Sequence, residues 1–270
     1  MYDAGEELTL QRARGRAAVA WRRADGQIRL DRLFQSGSAK ILLPKTHAPV
    51  PEAVWVNTAG GITGGDRFRL EVSLGPGAAG VVTSQAAERV YRARGGAGRS
   101  DIDLTLSAGA RLDWLPQETI LFEGGRLERR LGADLEDGAA LMLLETVVLG
   151  RRAMGETLED AGLLDHWRIR RNGRLVFAEA LRLIPPLSAL GGPAALGDTR
   201  AFATFAMIAP DAEDRLDRAR AALPPGAAAS AWNGALVCRF LAADATPLRA
   251  GLIRFLTAFR DGALPRVWQS

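Results

Sequence analysis

Four glutamates stand where a soluble protein ordinarily keeps hydrocarbon. Glu118 follows LDWLPQ, Glu145 interrupts ALMLLETVVLG, Glu156 follows RRAMG, and Glu179 lies in LVFAEALRL. A carboxylate inside an apolar strand is strongly disfavoured unless it is paired, hydrated or protonated. For any one of them a salt bridge to Arg151, Arg152 or Arg182 is a sufficient explanation. Several together point to a water-lined interior path or a polar interface. A second chemical candidate is the loop Asn57–Asp66, NTAGGITGGD, with Gly60, Gly61, Gly64 and Gly65. Its glycines permit positive φ and let backbone amides approach whatever they face. The loop lacks the Lys-Ser/Thr of a Walker motif and the spacing of a dinucleotide loop, so a structural turn competes with phosphate binding. Asp66 at its end either caps the turn or offers a carboxylate to a partner or ion.

Other reactive groups are scarce. No G-x-S-x-G nucleophile elbow is present, and His47 and His166 have no evident Ser or Cys partner. His47 falls in the proline-rich loop from Pro44 to Pro51 and is expected at the surface. His166 beside Trp167 is expected at a strand entry as a packing residue, and Cys238 within ALVCRF as a small buried hydrophobe. One cysteine and two histidines exclude a disulfide framework and a Cys-based zinc or iron–sulfur site, and leave little for a His-rich one.

The 270 residues can fold as one domain, strand-rich over 15–208 and helix-containing over 209–270. A chain of this size buries roughly three-quarters of its unfolded surface and needs no disulfide or metal to hold a core. The 47% hydrophobic and 24% charged residues are those of a globular protein. Net charge is +4, but the 33 arginines and two lysines are dispersed among 31 acids without a dense basic block, which argues against nucleic acid as the main partner. No apolar stretch approaches a membrane span and the first twenty residues contain no secretory h-region, so a cytoplasmic protein without membrane attachment is expected.

Strands must position the acids. Arg67 to Leu74 alternates with Phe68, Leu70, Val72 and Leu74 on one face; Asp101 to Leu106 repeats the pattern, and Leu175 to Ile184 is a longer, less regular run. Leu-x-x-Gly-Ala recurs at 74–78, 106–110 and 135–139, placing Gly77, Gly109 and Gly138 at intervals of 32 and 29 residues. Each copy ends one strand, turns and opens the next, which favours stacked β units over an irregular sandwich. Seven to nine residues after each glycine come Ser84-Gln85-Ala86, Pro116-Gln117-Glu118 and Glu145-Thr146-Val147. Stacked in register, Gln85, Gln117 and Glu145 would form a polar seam with about 5 Å per strand step. Two helices are expected later, one over Asp211–Leu223 and one opening with Thr246 as N-cap and Pro247 as N1, its face carrying Leu248, Leu252, Phe255, Leu256 and Phe259, with a strand over Gly234–Leu241 between them.

The segments VWVNTAGGITGGDRF, VTSQAAERVYR, LDWLPQETILFEGG, ETVVLGRRAMGE and the terminal LPRVW, in this order, resemble the urease accessory protein family UreD, also called UreH, over essentially the whole chain. The resemblance implies a mainly β fold, a right-handed β-helix-like stack with two α-helices toward the C-terminus. It implies a non-enzymatic chaperone that acts on apo-urease with the accessory protein UreF and the GTPase UreG, delivering nickel. Carried over residue by residue, the family's glycine loop falls on Asn57–Asp66. The acids proposed to line a nickel route fall on Asp66, Glu145, Glu156 and Glu179, with further matches at Ser84 and Glu118. Scattered carboxylates bind transition ions weakly and exchange them readily, so transient Ni2+ with no tightly bound cofactor suits this composition. Two rivals remain: a docking scaffold joining UreF and urease without touching metal, and an enzyme using the glycine loop for a phosphorylated ligand. Large apolar surfaces awaiting UreF are expected, with the C-terminal helix face, Trp232 and Trp268 as candidates.

Overall fold

The computed structural model describes residues 11–46, 48–151 and 154–269. His47 and Arg152 lie outside the described residues. The chain runs through β1 (Arg14–Ala24), β2 (Gln27–Gly37), β3 (Ala39–Leu42), β4 (Glu52–Asn57), β5 (Arg67–Leu74), β6 (Ala79–Ser84), β7 (Glu88–Val90), β8 (Gly98–Leu106) and β9 (Arg111–Leu115). It continues through β10 (Thr119–Leu121), β11 (Arg126–Leu135), β12 (Ala140–Leu149), β13 (Gly162–Arg171), β14 (Arg174–Leu183) and β15 (Ala201–Ile208). The last part holds α1 (Leu216–Ala222), β16 (Ala227–Trp232), β17 (Ala235–Ala242) and α2 (Ala245–Phe259).

Alternation of side chains explains why successive strands land in two facing sheets. The first sheet has the order β14-β13-β11-β8-β5-β1-β2, and the second β16-β17-β15-β12-β9-β6-β4-β3. In between, the chain coils: β4 to β5, β6 to β8, β9 to β11 and β12 to β13 each pass from the second sheet to the first, and each strand pairs in parallel with its counterpart one turn later. The result is a β-solenoid-like stack of about four turns. Antiparallel pairs close both ends, β1 with β2 at one and β13 with β14, and β15 with β17 with β16, at the other.

The Leu-x-x-Gly-Ala repeat is the corner of each turn. Gly77, Gly109 and Gly138 take φ of 61°, 65° and 68°, a region costly for residues with a Cβ. The corners are laid on one another: Gly77 N donates to Ala108 O and Gly109 N to Asp137 O, both at 2.9 Å. The following Ala78, Ala110 and Ala139 are wholly buried, as are the preceding Leu74, Leu106 and Leu135.

The expected strands at 67–74, 101–106 and 175–184 appear as β5, β8 and β14, and the strand at 234–241 as β17. The first helix is shorter than expected: residues 213–215 form a 3-10 turn and α1 begins at Leu216. In α2 the N-cap is Asp244, whose carboxylate accepts from Ala245 N, so Thr246 and Pro247 lie inside the first turn. Its apolar face, Leu248, Leu252, Phe255, Leu256 and Phe259, is buried on the outside of the second sheet, where Phe255 meets Phe205 and Phe240 edge-on at 5.1 Å. That face and Trp268, only 2% exposed, are therefore used internally and are not waiting surfaces, whereas Trp232 is 44% exposed. The C-terminal LPRVW has a clear role: Trp268 Nε1 donates to Leu115 O at 3.0 Å, pinning the last turn onto β9. No helix among the described residues is long and apolar enough to cross a membrane.

Candidate functional site

A polar row crosses the space between the two sheets. In the first sheet the register sets Phe68, Ser100, Arg129 and Asp165 at one level. In the second, Trp55 is level with Ser84, and Glu145 with Thr204 and then Arg239. Neighbours in such a row stand about 5 Å apart. On one side lies an apolar cluster with Leu70, Ile102, Leu131, Trp167 and Leu143, and on the other a cluster with Ile62, Phe68, Leu127, Leu163 and Val147. The row thus divides the inter-sheet interior into two hydrocarbon blocks. Its first end is closed by Trp55 and Phe68, edge-on at 6.3 Å.

The row exists because the second sheet is irregular at this height. β9 pairs with β12 at Leu112–Leu141, whereas β10 pairs with it at Thr119–Val147, so three residues (116–118) face two (145–146). One turn earlier, four residues (84–87) face those three. Pro116 has no amide to give the ladder, which is why pairing stops there. Beside this bulge lies a cavity of about 70 Å³, lined among others by Ser84, Glu88, Ser100, Gln117, Arg129 and Glu145. Most of its lining is apolar, with these polar groups set into it, and a space of that size has room for a few waters beside them.

Its charged centre is a buried triad. Arg129 donates from Nε to Asp165 Oδ1 at 3.1 Å and from Nη2 to Asp165 Oδ2 at 2.5 Å. Its Nη1 donates to Thr119 Oγ1 at 3.2 Å and to Glu145 Oε2. Trp114 Nε1 donates to Glu145 Oε1 at 2.8 Å, and Trp167 Nε1 to Asp165 Oδ1 at 3.2 Å. Two carboxylates and one guanidinium leave a formal charge of −1 in a site where all three residues are at most 5% exposed. Burial pushes the Glu145 carboxyl up to about 7, against the opposing pull of Arg129 and with the help of Asp165. The two acids hold Arg129 firmly protonated despite its burial. Across the cavity, burial pushes Glu88 up to about 7 while Asn57 Nδ2, donating at 3.0 Å, opposes the shift.

The remaining candidate residues are dispersed. Ser84 Oγ accepts from Gln117 N at 2.8 Å and donates to Ala86 O, so Ser84 takes the place in the seam expected of Gln85, which is exposed because it follows the last inward position of β6. Gln117 and Glu145 do face the same cavity. Glu179 pairs with Arg239, joining the two sheets at the far end of the row, with Arg239 Nη1 also on Thr204 Oγ1 at 2.6 Å. Its partner is thus not Arg182. Glu118 lies outside the second sheet, 3.5 Å from Arg249. Glu156 is gripped by Arg151 through two side-chain bonds of 3.0 Å and by the Arg151 and Glu123 amides, which hold its carboxyl down at about 2, away from the row. Asp66 accepts from Thr63 N and Ala13 N, both at 2.8 Å, and so caps the glycine loop and ties it to β1.

Within that loop the amides of Ala59, Gly60, Ile62, Thr63 and Gly65 are all given to acceptors of the protein itself, so these five do not form a phosphate cradle. Gly61 is required by space: a Cβ there would stand 2.3 Å from the Tyr91 ring and 2.6 Å from Arg89 O. Gly60 and Gly65 adopt positive φ, and Gly64 lies against the carbonyls of Gly95 and Gly96. Among the described residues no three His, Cys, Asp or Glu side chains converge to hold a metal ion. His166 is half-buried within β13, and Cys238 is fully buried with its thiol pushed up to about 12.

Sequence reasoning missed Glu88, Arg129 and Asp165. Parity carried the signal for two of them. Arg129 occupies the inward position of Leu127, Leu131 and Leu135, and Asp165 that of Leu163, Trp167 and Ile169.

The family model described as UreD urease accessory protein matches residues 13–269. The urease accessory protein UreD of Xanthobacter autotrophicus is 48% identical, over 98% of this chain and 93% of its own. That of Jannaschia sp. is 49% identical over 100% of both chains, and that of Paracoccus denitrificans 46% over 100% of this chain and 96% of its own. With nearly its entire length matched, the chain belongs to the UreD urease accessory protein family.

Proposed function

We propose that this chain is an assembly factor for urease that works in the cytoplasm with UreF and the GTPase UreG, and that nickel bound for apo-urease passes along its polar row. One observation carries the reading: Ser84, Gln117, Glu145, Thr204, Arg239 and Glu179 follow one another across the stack between two apolar blocks, with a cavity beside Glu145. Oxygen donors spaced by strand steps, interrupted by Arg239 and with no three His, Cys, Asp or Glu converging among the described residues, suit an ion that is exchanged and not stored. In this reading the acids contribute charge and orientation only. Nucleotide hydrolysis belongs to the partner.

A second reading, a docking scaffold that never touches metal, has its own support. Glu118, Glu145, Glu156 and Glu179 each face an arginine, so each has a structural reason to be where it is. Glu145→Gln and Glu179→Ala separate the two readings in the complex with UreF and apo-urease. Transit predicts a fall in nickel per urease active site with the complex intact. Unchanged nickel loading in both variants would leave only the scaffold.

A further inference from the structure

The bulge at 116–118 lines the cavity with Pro116 and Gln117, while Glu118 reaches the outside of the second sheet. Gln117 spans the wall between them. Its backbone N donates to Ser84 Oγ on the cavity side, and its side-chain Oε1 accepts from Arg249 Nη1 at 2.5 Å on the α2 side. Two buried polar atoms flank the same bulge without a hydrogen-bond partner: Gln117 Nε2 and Thr146 Oγ1. Buried polar groups are nearly always satisfied, and where protein does not satisfy them water does. Thr146 faces a small hollow of about 10 Å³ with Glu118, Arg249 and Trp268, about the space of one water. Gln117 lines the cavity with Glu145 and is bonded to Arg249, which with Glu118 and Thr146 lines the hollow.

The cover over this wall is the C-terminal segment. Arg249 lies over the Trp268 ring at 5.2 Å and donates to Val267 O at 3.2 Å, while Trp268 Nε1 holds Leu115 O just before Pro116. Leu115 O also accepts from Thr83 Oγ1 at 2.6 Å, so one carbonyl ties the C-terminus to the cavity wall.

We infer that the gap between β9 and β10 is a side portal to the cavity, closed by the Gln117–Arg249 hydrogen bond beneath Trp268, through which a hydrated divalent cation enters or leaves the polar row. Gln117 is the residue that moves and Arg249 the positioning residue that holds it shut. The portal rests on the transit reading only for what passes through it; the opening itself is a property of the chain. It gives the row a lateral mouth, distinct from its far end at Glu179 and Arg239.

The test reads access directly. In the full-length chain, Ser84→Cys places a thiol on the cavity wall, while Cys238 stays silent because it is buried with its thiol pushed up to about 12. Methyl methanethiosulfonate labelling is followed by intact mass, with and without Arg249→Met or Gln117→Ala. Loss of a charge-assisted hydrogen bond shifts an opening equilibrium about ten-fold or more, so either variant is expected to speed labelling by about that factor, with Arg249→Lys in between. Labelling as fast in the latched chain as in both variants, with their circular dichroism unchanged, overturns the portal. Nickel loading of urease by Glu145→Gln is measured separately, so a failed portal and a failed transit reading give different results.

Discussion

Arg129→Met offers the sharpest test of the buried triad. The substitution keeps an unbranched apolar stem, shorter than that of arginine, and removes the cation and four donated hydrogen bonds. The formal charge of the site goes from −1 to −2, with Glu145 4% and Asp165 3% exposed. Breaking a buried ion pair from one side costs about 3–5 kcal/mol, because the stranded charge stays out of water. Against a domain stability of about 5–15 kcal/mol that is a large fraction. Glu145→Gln alone behaves differently. It leaves Arg129 and Asp165 balanced, but one carbonyl oxygen must now serve both Trp114 Nε1 and Arg129 Nη1. One acceptor short, partly offset by relief of repulsion from Asp165, gives a loss of about 1 kcal/mol. In the Arg129→Met background the same change removes a stranded charge and stabilises, so the double-mutant cycle should show coupling of about 2 kcal/mol or more. The sign with pH follows. Without the arginine, nothing opposes the burial that raises the Glu145 carboxyl, so the native chain binds more protons there than the unfolded one and stability rises as pH falls. Urea unfolding followed by circular dichroism at pH 8 and pH 6 measures all of this. A loss below about 1 kcal/mol for Arg129→Met at pH 8, or strict additivity in the cycle, would refute the reasoning.

Glu88, raised from 4.5 to about 7, holds its proton more tightly folded than unfolded, so its contribution to stability declines as pH rises from about 4.5 to about 7 and is constant above. Glu88→Gln, which keeps an acceptor for Asn57, should flatten part of that slope and stabilise the chain at pH 8 by about 1–2 kcal/mol in chemical unfolding. In the glycine loop, Gly60→Ala meets open space and pays only for its φ of 78°, about 1 kcal/mol, whereas Gly61→Ala collides with Arg89 O and Tyr91 and should cost clearly more in melting temperature.

Much of this architecture was legible from spacing alone. Phe68, Leu70, Val72 and Leu74 announce β5, and the glycines at 77, 109 and 138 announce the coil, because the repeat of a stacked β unit is written in its corners. Glu145 stood out because it breaks a run of aliphatic residues on both faces of β12. Arg129 did not, since β11 reads RLERRLGADL and its three arginines look alike until the inward parity is traced. Ser84 follows from parity with Ala78 and Val82, but Gln117 does not, because its inward place depends on the bulge between β9 and β10. The α2 face was read correctly as apolar, but its partner is β15 and β17 of the same chain, a contact between segments with no mutual pattern in sequence. Asp244 went unnoticed as N-cap because Thr246-Pro247 presents the more familiar start.

The corners at Gly77, Gly109 and Gly138 fit each other through hydrogen bonds between successive turns, so the coil is built from interchangeable storeys. Thickness in such a building changes only by whole floors, each about 5 Å. The surfaces at β2 and β14 are carried on hairpins outside that repeat. A lineage could therefore rework the face carried on either hairpin, or add a storey and with it one more step of the polar row, without recutting the floors between.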